Sequence, residues 1–243
     1  MLTHTELQKC LFLDIETTSQ FPRFEDMPQR FQDLWTRKSQ TLQASIHPDA
    51  QKSPAELYPE RAGIYAEFGK VICISCGFLI QKEGKWLLRV KSFSGNDEAQ
   101  LLKAFQEMLQ RSAFTRLCAH NGKEFDFPYL CRRMLIAGIN LPPQLDLQGK
   151  KPWETGHLDT LELWKFGDYK SYTSLDLLSA VLGIPSPKDD ISGADVGRVY
   201  WTENGLDRIR IYCEKDVVTT CQILLRMNLL PVIEDEAIEI VTE

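Results

Sequence analysis

The 243-residue sequence predicts one α/β domain, 1–243, built on a mixed, mainly five-stranded sheet flanked by helices. Three observations carry that expectation. The apolar run over residues 9–16 reads as a buried strand. Residues 69–80 and 86–93 have strand character around a Glu83-Gly84 turn, so the first three strands read as an antiparallel meander. From residue 96 onward, helical stripes alternate with short apolar segments. Hydrophobic residues are 43% of the chain, enough for a substantial core.

The first strand ends in Leu13-Asp14-Ile15-Glu16-Thr17-Thr18. Strand side chains alternate faces, so Asp14 and Glu16 point one way and Leu13 and Ile15 the other. Two carboxylates held side by side resist joint ionisation. A divalent cation would supply the missing charge; a strand end facing water would equally relieve it. The strand alone leaves both readings open.

Residues 19–60 change composition, with prolines at 22, 28, 48, 54 and 59. Phe31, Leu34, Trp35 and Lys38 have helical spacing, and Ser53-Pro54-Ala55-Glu56 has the pattern of a capping box with proline at the first helical position. This stretch is expected to be a helical insertion with too few apolar residues for its own core, either a lid or simple packing against one edge. After the meander, Asn96 is the expected cap of a helix carrying Leu101, Leu102, Phe105 and Leu109 and ending near Arg111. Residues 115–120 read as a fourth strand, broken by Asn121-Gly122. A helix capped by Asp126 or Phe127 carries Leu130, Met134 and Ala137 and stops at Gly138. Residues 140–156 read as loop, and 157–166 as a short strand running into a helix or turn. Thr173 or Ser174 caps a helix stopped by Gly183 and Pro185, and 187–193 is a polar loop. Asn204 is expected to open the last long helix, whose core stripe is Leu206, Ile209, Cys213, Val217, Cys221 and Leu224. The acidic tail after Leu230 carries little signal.

The net charge of −6 argues against a protein that coats nucleic acid through bulk charge, but not against one that grips a strand end. The seven cysteines form no regular framework; Cys73 and Cys76 lie within a strand pattern and read as core thiols. With neither a signal-peptide pattern nor an apolar run of membrane-spanning length, no membrane association is expected and a reducing, cytoplasmic setting fits.

Four acids stand out: Asp14 and Glu16 on one strand face, Asp126 at a helix start, and Asp216 on the last helix with Tyr212 one turn before it. Gathered at one sheet edge, they would bind hard cations through oxygen. Their arrangement resembles the Asp-Glu-Asp-Asp 3′→5′ exonuclease superfamily. Asp14-Ile15-Glu16 matches its first motif, Asn121 through Phe125-Asp126 its second, and Tyr212 through Asp216 its third. The tyrosine form of that superfamily is indicated by Tyr212, because Ile211 stands where the other branch has histidine. The run from His120 to Leu130 is most similar to the proofreading exonuclease domain of family-B DNA polymerases, and the chain looks like the predicted stand-alone relatives of that domain.

The resemblance implies a ribonuclease-H-like fold and two Mg²⁺ or Mn²⁺ ions held by Asp14, Glu16, Asp126 and Asp216. Tyr212 would position the attacking water, and Asn121, Phe125 and the backbone of Thr17 would lie near the terminal nucleotides. The implied partner is a nucleic-acid 3′ end, DNA favoured over RNA, hydrolysed to nucleoside 5′-monophosphates. An RNA 3′-trimming enzyme and a non-catalytic nucleic-acid-binding scaffold of the same fold are the competing readings. Read as residues, Asn121 equally suits an Asn-Gly turn and Phe125 a core position. Asp159 either supports the site or caps the turn that follows, and the structural role is favoured; His157 is expected not to be a ligand. Lys170, Tyr172 and Lys188 fall in loops expected to flank a substrate channel, where each could contact phosphate although a solvated surface position is the favoured reading, whereas Asp189-Asp190 would repel a phosphate backbone.

Overall fold

A computed structural model describes residues 1–168, 172–185 and 190–241. Its regular elements, in chain order, are α1 (His4–Gln8), β1 (Cys10–Ser19), α2 (Gln29–Leu42), α3 (Pro54–Arg61), β2 (Gly69–Lys82), β3 (Lys85–Ser94), α4 (Glu98–Arg111), β4 (Arg116–Ala119), α5 (Asp126–Ile136), β5 (Leu158–Asp159), α6 (Thr160–Lys165), α7 (Leu175–Val181), α8 (Val196–Glu203), α9 (Leu206–Met227) and β6 (Ile238–Val241).

The meander forms as its pattern predicts. β1 pairs antiparallel with β2, and β2 with β3. Both turn residues of the β2–β3 hairpin take positive φ, Glu83 at 52° and Gly84 at 79°, which matches the twist of the flanking strands. β4 lies parallel to β1 and β5 parallel to β4, giving the order β5-β4-β1-β2-β3-β6. The α/β class with a mixed, helix-flanked sheet is therefore as expected and consistent with a ribonuclease-H-like arrangement. Among the described residues the sheet has six strands rather than five, because Ile238–Val241 of the acidic tail adds parallel to β3. So short a segment becomes a strand by pairing with an existing edge, which its own sequence does not announce.

Alternation along β1 separates two layers. Leu11, Leu13 and Ile15 pack with α4 and α5 residues such as Leu102, Phe105, Leu130 and Met134. Cys10 and Phe12 pack on the other face with Val217, Cys221, Leu224 and Leu225 of α9. α9 lies close against β2: a Cβ at Gly77 would stand 2.9 Å from Val217 Cγ1. Asp14 and Glu16 continue the α9 face of β1.

Several boundaries differ from expectation. Asp97, not Asn96, caps α4, accepting from the Gln100 N–H (3.1 Å); the Asn96 side chain instead accepts from the Tyr200 hydroxyl. Asn204 ends α8 in the left-handed region (φ 52°) and Gly205 precedes α9, so Asn204 closes one helix rather than opening the next. α1, with its Thr3/Glu6 capping box, and α8 have no counterpart in the expected elements. Ser174 caps α7 and the Ser53/Glu56 box opens α3, as predicted. The insertion does have an apolar cluster: Trp35 and Tyr58 are fully buried with Met27, Leu57, Ala62 and Phe68. Part of that cluster comes from residues after 60, which is why residues 19–60 look too poor in apolar side chains alone.

Candidate active site

β1 carries the first two acids to the edge of the α9 layer. Asp14 is half-buried and Glu16 is 8% exposed. β4 accompanies β1 only through Cys10, Leu11 and Phe12. Beyond that point the Ile15 N–H has no strand partner on this side, and it donates to Asp126 Oδ1 (3.1 Å). Asp126, the first residue of α5 and 4% exposed, is thereby tied to the backbone between the two acids of β1. The pairing of β1 with β2 shifts register between Glu16 and Thr17, a bulge of the kind that re-aims side chains beside a site.

α9 supplies the rest. Tyr212, Cys213 and Asp216 share one face over i, i+3 and i+4 spacings. The Cys213 thiol donates to the Asp14 carboxylate (Oδ2, 3.2 Å) and also lies 3.4 Å from the Asp14 carbonyl oxygen. The Tyr212 hydroxyl lies beside the Asp216 carboxylate. Ligand atoms of Asp14, Glu16 and Cys213 all lie within 4.8 Å of one another.

The electrostatics follow from this crowding. Burial, then the charges of Glu16, Asp216 and Asp126, push the Asp14 carboxyl well above the ordinary aspartate range, opposed by the thiol hydrogen bond. Burial, then Asp216, raises Glu16 in the same way. Burial raises Asp126 to about 7 even though it accepts backbone hydrogen bonds. Burial and the neighbouring Asp216 charge also raise the Tyr212 hydroxyl, keeping it protonated. Carboxylates this close titrate as a group and cannot all ionise without added positive charge. Oxygen donors in that state fit a hard divalent cation.

The three positions expected near a substrate are placed as follows. Thr17 follows Glu16 directly, with its hydroxyl donating to the Gly63 carbonyl (2.8 Å). Asn121 adopts φ 62° and its carbonyl accepts from the Glu124 and Phe125 N–H groups, so its backbone makes the turn. Gly122 is needed next to it, since a Cβ there would sit 2.4 Å from that of Ala119. Phe125 is half-buried, packing on the α5 layer and 5.4 Å from the Tyr129 ring. Asp159 accepts from the N–H groups of Asn121, Lys123, Leu161 and Glu162, holding the second-motif loop and capping α6 at once. His157 accepts from Leu117 N–H and its other ring nitrogen meets the Gln144 carbonyl, a structural role. Tyr172 is exposed near His120, while Lys170, Lys188 and Asp189 lie outside the described residues.

Cys213 is the site residue that sequence reasoning missed. Its place in the α9 core stripe is correct, and it packs with Ile72 and Cys73. Its position three residues before Asp216 was the available signal.

Among the described residues no helix is long and apolar enough to cross a membrane. Curated relatives include the DNA polymerase of Pyrococcus glycovorans, 24% identical over 140 residues, which are 53% of this chain and 18% of that one. DNA polymerase 1 of Pyrococcus abyssi is 23% identical over 175 residues, 65% of this chain and 22% of that one. The chain thus spans about a fifth of the length of these relatives. The family B DNA polymerase of the hyperthermophilic archaeon Pyrobaculum calidifontis has a similar fold, with a TM-score of 0.51 at 17% identity, covering 90% of this chain and 24% of that one. A family model matches residues 64–237, which include Asn121, Phe125, Asp126, Tyr212 and Asp216 but not β1. With that match over most of its length, the chain belongs to the family described as predicted 3′-5′ exonucleases related to the exonuclease domain of PolB.

Proposed function

We propose that the protein is a metal-dependent 3′→5′ exonuclease of the tyrosine form of the Asp-Glu-Asp-Asp superfamily, a single domain acting on single-stranded or frayed DNA ends and releasing nucleoside 5′-monophosphates. The observation that carries this reading is convergence. The Asp126 carboxylate bonds to β1 between Asp14 and Glu16, and the turn of α9 bearing Tyr212 and Asp216 is joined to Asp14 through Cys213. The three motifs therefore meet at one place. The relatives, all DNA polymerases, support DNA over RNA.

Asp14, Glu16 and Asp216 would hold one Mg²⁺ or Mn²⁺, and Asp14 with Asp126 a second. When bound, such a pair supplies the charge that activates water and stabilises the leaving oxygen. The chain's own residues do the rest. The Tyr212 hydroxyl, kept protonated beside Asp216, orients the attacking water. Phe125, half-buried within the second motif, offers a face for stacking of a terminal base, which is tolerant of sequence. Asn121 and the Thr17 backbone flank the acids and hold the terminal nucleotide. Just after the 19–60 insertion, the Gly63 carbonyl accepts from the Thr17 hydroxyl of β1, which brings the end of the insertion beside the acids, where it can act on substrate length as a lid.

The test is digestion of 5′-labelled single-stranded DNA and matched RNA with magnesium, manganese or chelator. A metal-dependent ladder on DNA is expected. A ladder on RNA alone would transfer the activity to RNA trimming, and binding without digestion of either would leave a scaffold.

A further inference from the structure

Exposed aromatic side chains border the second-motif loop, and the chemistry proposed for the acids uses none of them. One small pocket is lined by Asn121, Lys123 and Asp159 together with Pro152 and Lys165. The residues that follow the last two, Trp153 and Phe166, are 70% and 91% exposed. Trp153 is the one exposed tryptophan of five, and the Lys151 ammonium stands 5.2 Å from its ring centroid. Phe166 ends α6 at φ 44° and ψ 33°, in the left-handed region that a bulky residue adopts only under strain. A glycine would make that turn freely, so a phenylalanine ring held there in water has no folded-state reason and points to a function. Tyr172, 65% exposed, stands edge-on to His120, one residue before Asn121, with ring centroids 6.3 Å apart. Partial burial, and then the charges of Asp159 and Asp126, raise its hydroxyl, so this ring lies within electrostatic reach of the acids. We propose that Trp153, Phe166 and Tyr172 form a stacking platform for the bases of the single strand that leads away from a 3′ end held at the acids.

Every base has a π-face, so aromatic rings hold a strand without reading its sequence, which suits an enzyme that passes successive bases. Charge cannot lead at this surface. Lys123 is paired with Glu162 (2.6 Å), and Glu154 accepts from the Lys151 backbone N–H (2.7 Å), so acids border the lysines. Stacking therefore supplies most of the grip, and its salt dependence is shallower than that of a grip led by phosphate contacts. The platform is continuous with the loop of Asn121 and Phe125, which favours nucleic acid over a protein as its occupant. That the strand ends at the acids rests on the exonuclease reading, whereas stacking needs no turnover.

Titration of the full chain in chelator with oligothymidylate of about eight nucleotides, read by tryptophan fluorescence, tests this. Quenching is expected, and it should be lost in Trp153→Ala. Phe166→Gly keeps the turn and removes the ring, so it should weaken binding about tenfold, read by anisotropy of the labelled oligonucleotide, with no fall in melting temperature. Raising salt from about 50 to about 200 mM should cost less than about tenfold in affinity, against roughly 10³-fold or more for a phosphate-led grip. With magnesium, Phe166→Gly should raise KM for the long strand about tenfold at unchanged kcat, and leave KM for a dinucleotide unaltered. No quenching in the wild type, quenching that survives Trp153→Ala, or unaltered affinity in Phe166→Gly overturns the platform and returns these rings to a protein interface. Binding that collapses with salt overturns the stacking grip. Absent digestion with the quenching intact sinks the exonuclease reading and leaves the platform standing.

Discussion

Two buried clusters of charge lie in this sheet's layers, and they are solved in opposite ways. In one, Glu98 of α4 meets Arg133 of α5: Arg133 Nε donates to Glu98 Oε1 (2.8 Å), the Val71 N–H donates to the same oxygen (2.7 Å), and Arg133 Nη1 donates to the Ala66 carbonyl (2.8 Å). Side-chain exposures are 5% for Arg133 and 13% for Glu98. Every charge has its counterpart, and the pair fastens α4, α5 and the start of β2 together. In the other, Asp14 and Glu16 face Asp126 and Asp216, and the neighbouring charges raise rather than lower their pKa values. A carboxylate buried with a guanidinium is architecture; carboxylates buried with one another await a cation.

The sharpest way to break that contrast is to remove one acid from each cluster. Asp14→Ala should abolish hydrolysis, by at least about 10³-fold or about 4 kcal/mol of barrier, without lowering the melting temperature in chelator, because it relieves repulsion. An active variant would sink the metal-site assignment, and one that unfolds would make Asp14 structural. Arg133→Met should do the reverse, costing about 3–5 kcal/mol of stability because Glu98 is left buried and unpaired. Urea unfolding measures it, and the double change Glu98→Leu with Arg133→Met should recover much of the loss.

pH separates the clusters next. In chelator, the folded-state carboxyls of Asp14, Glu16 and Asp126 are raised, the last to about 7, above their unfolded values near 4. The folded state then binds more protons than the unfolded one between about pH 4 and 7, so stability falls as pH rises through that window. Saturating Mg²⁺ should flatten this slope, and Asp126→Asn should reduce it. A chelator profile that is flat from pH 5 to 8 would show that the acids are already compensated. The smallest expected effect is Tyr212→Phe, which should slow turnover by about 10–100-fold with little change in binding. An equal rate in single-turnover assays would remove its role in placing water.

Much of this was legible because local pattern determines local structure. Alternation placed Asp14 and Glu16 on one face of β1, and the Glu83-Gly84 pair placed the hairpin turn. The i, i+4 spacing put Tyr212 and Asp216 on one face of α9, and the order of three motifs pointed to the family. Less legible were features that depend on what a segment meets. Asn204 could as well open a helix as close one, and only the packing of α8 before it decided. Asn96 lost the cap of α4 to Asp97 because Tyr200, more than a hundred residues away, engages its side chain. Arg133 sits in a helix pattern that says nothing of Glu98.

By itself, then, the sequence determined most of the elements, their buried faces and the acids proposed to carry the chemistry, since these follow from periodicities of two and 3.6 residues. Tertiary structure alone decided that Asp126 bonds the backbone of β1, that residues 238–241 become a strand, and that the Cys213 thiol touches Asp14 across 199 positions of sequence. Such contacts depend on how layers stack, and no short-range pattern records the depth at which one helix crosses one strand.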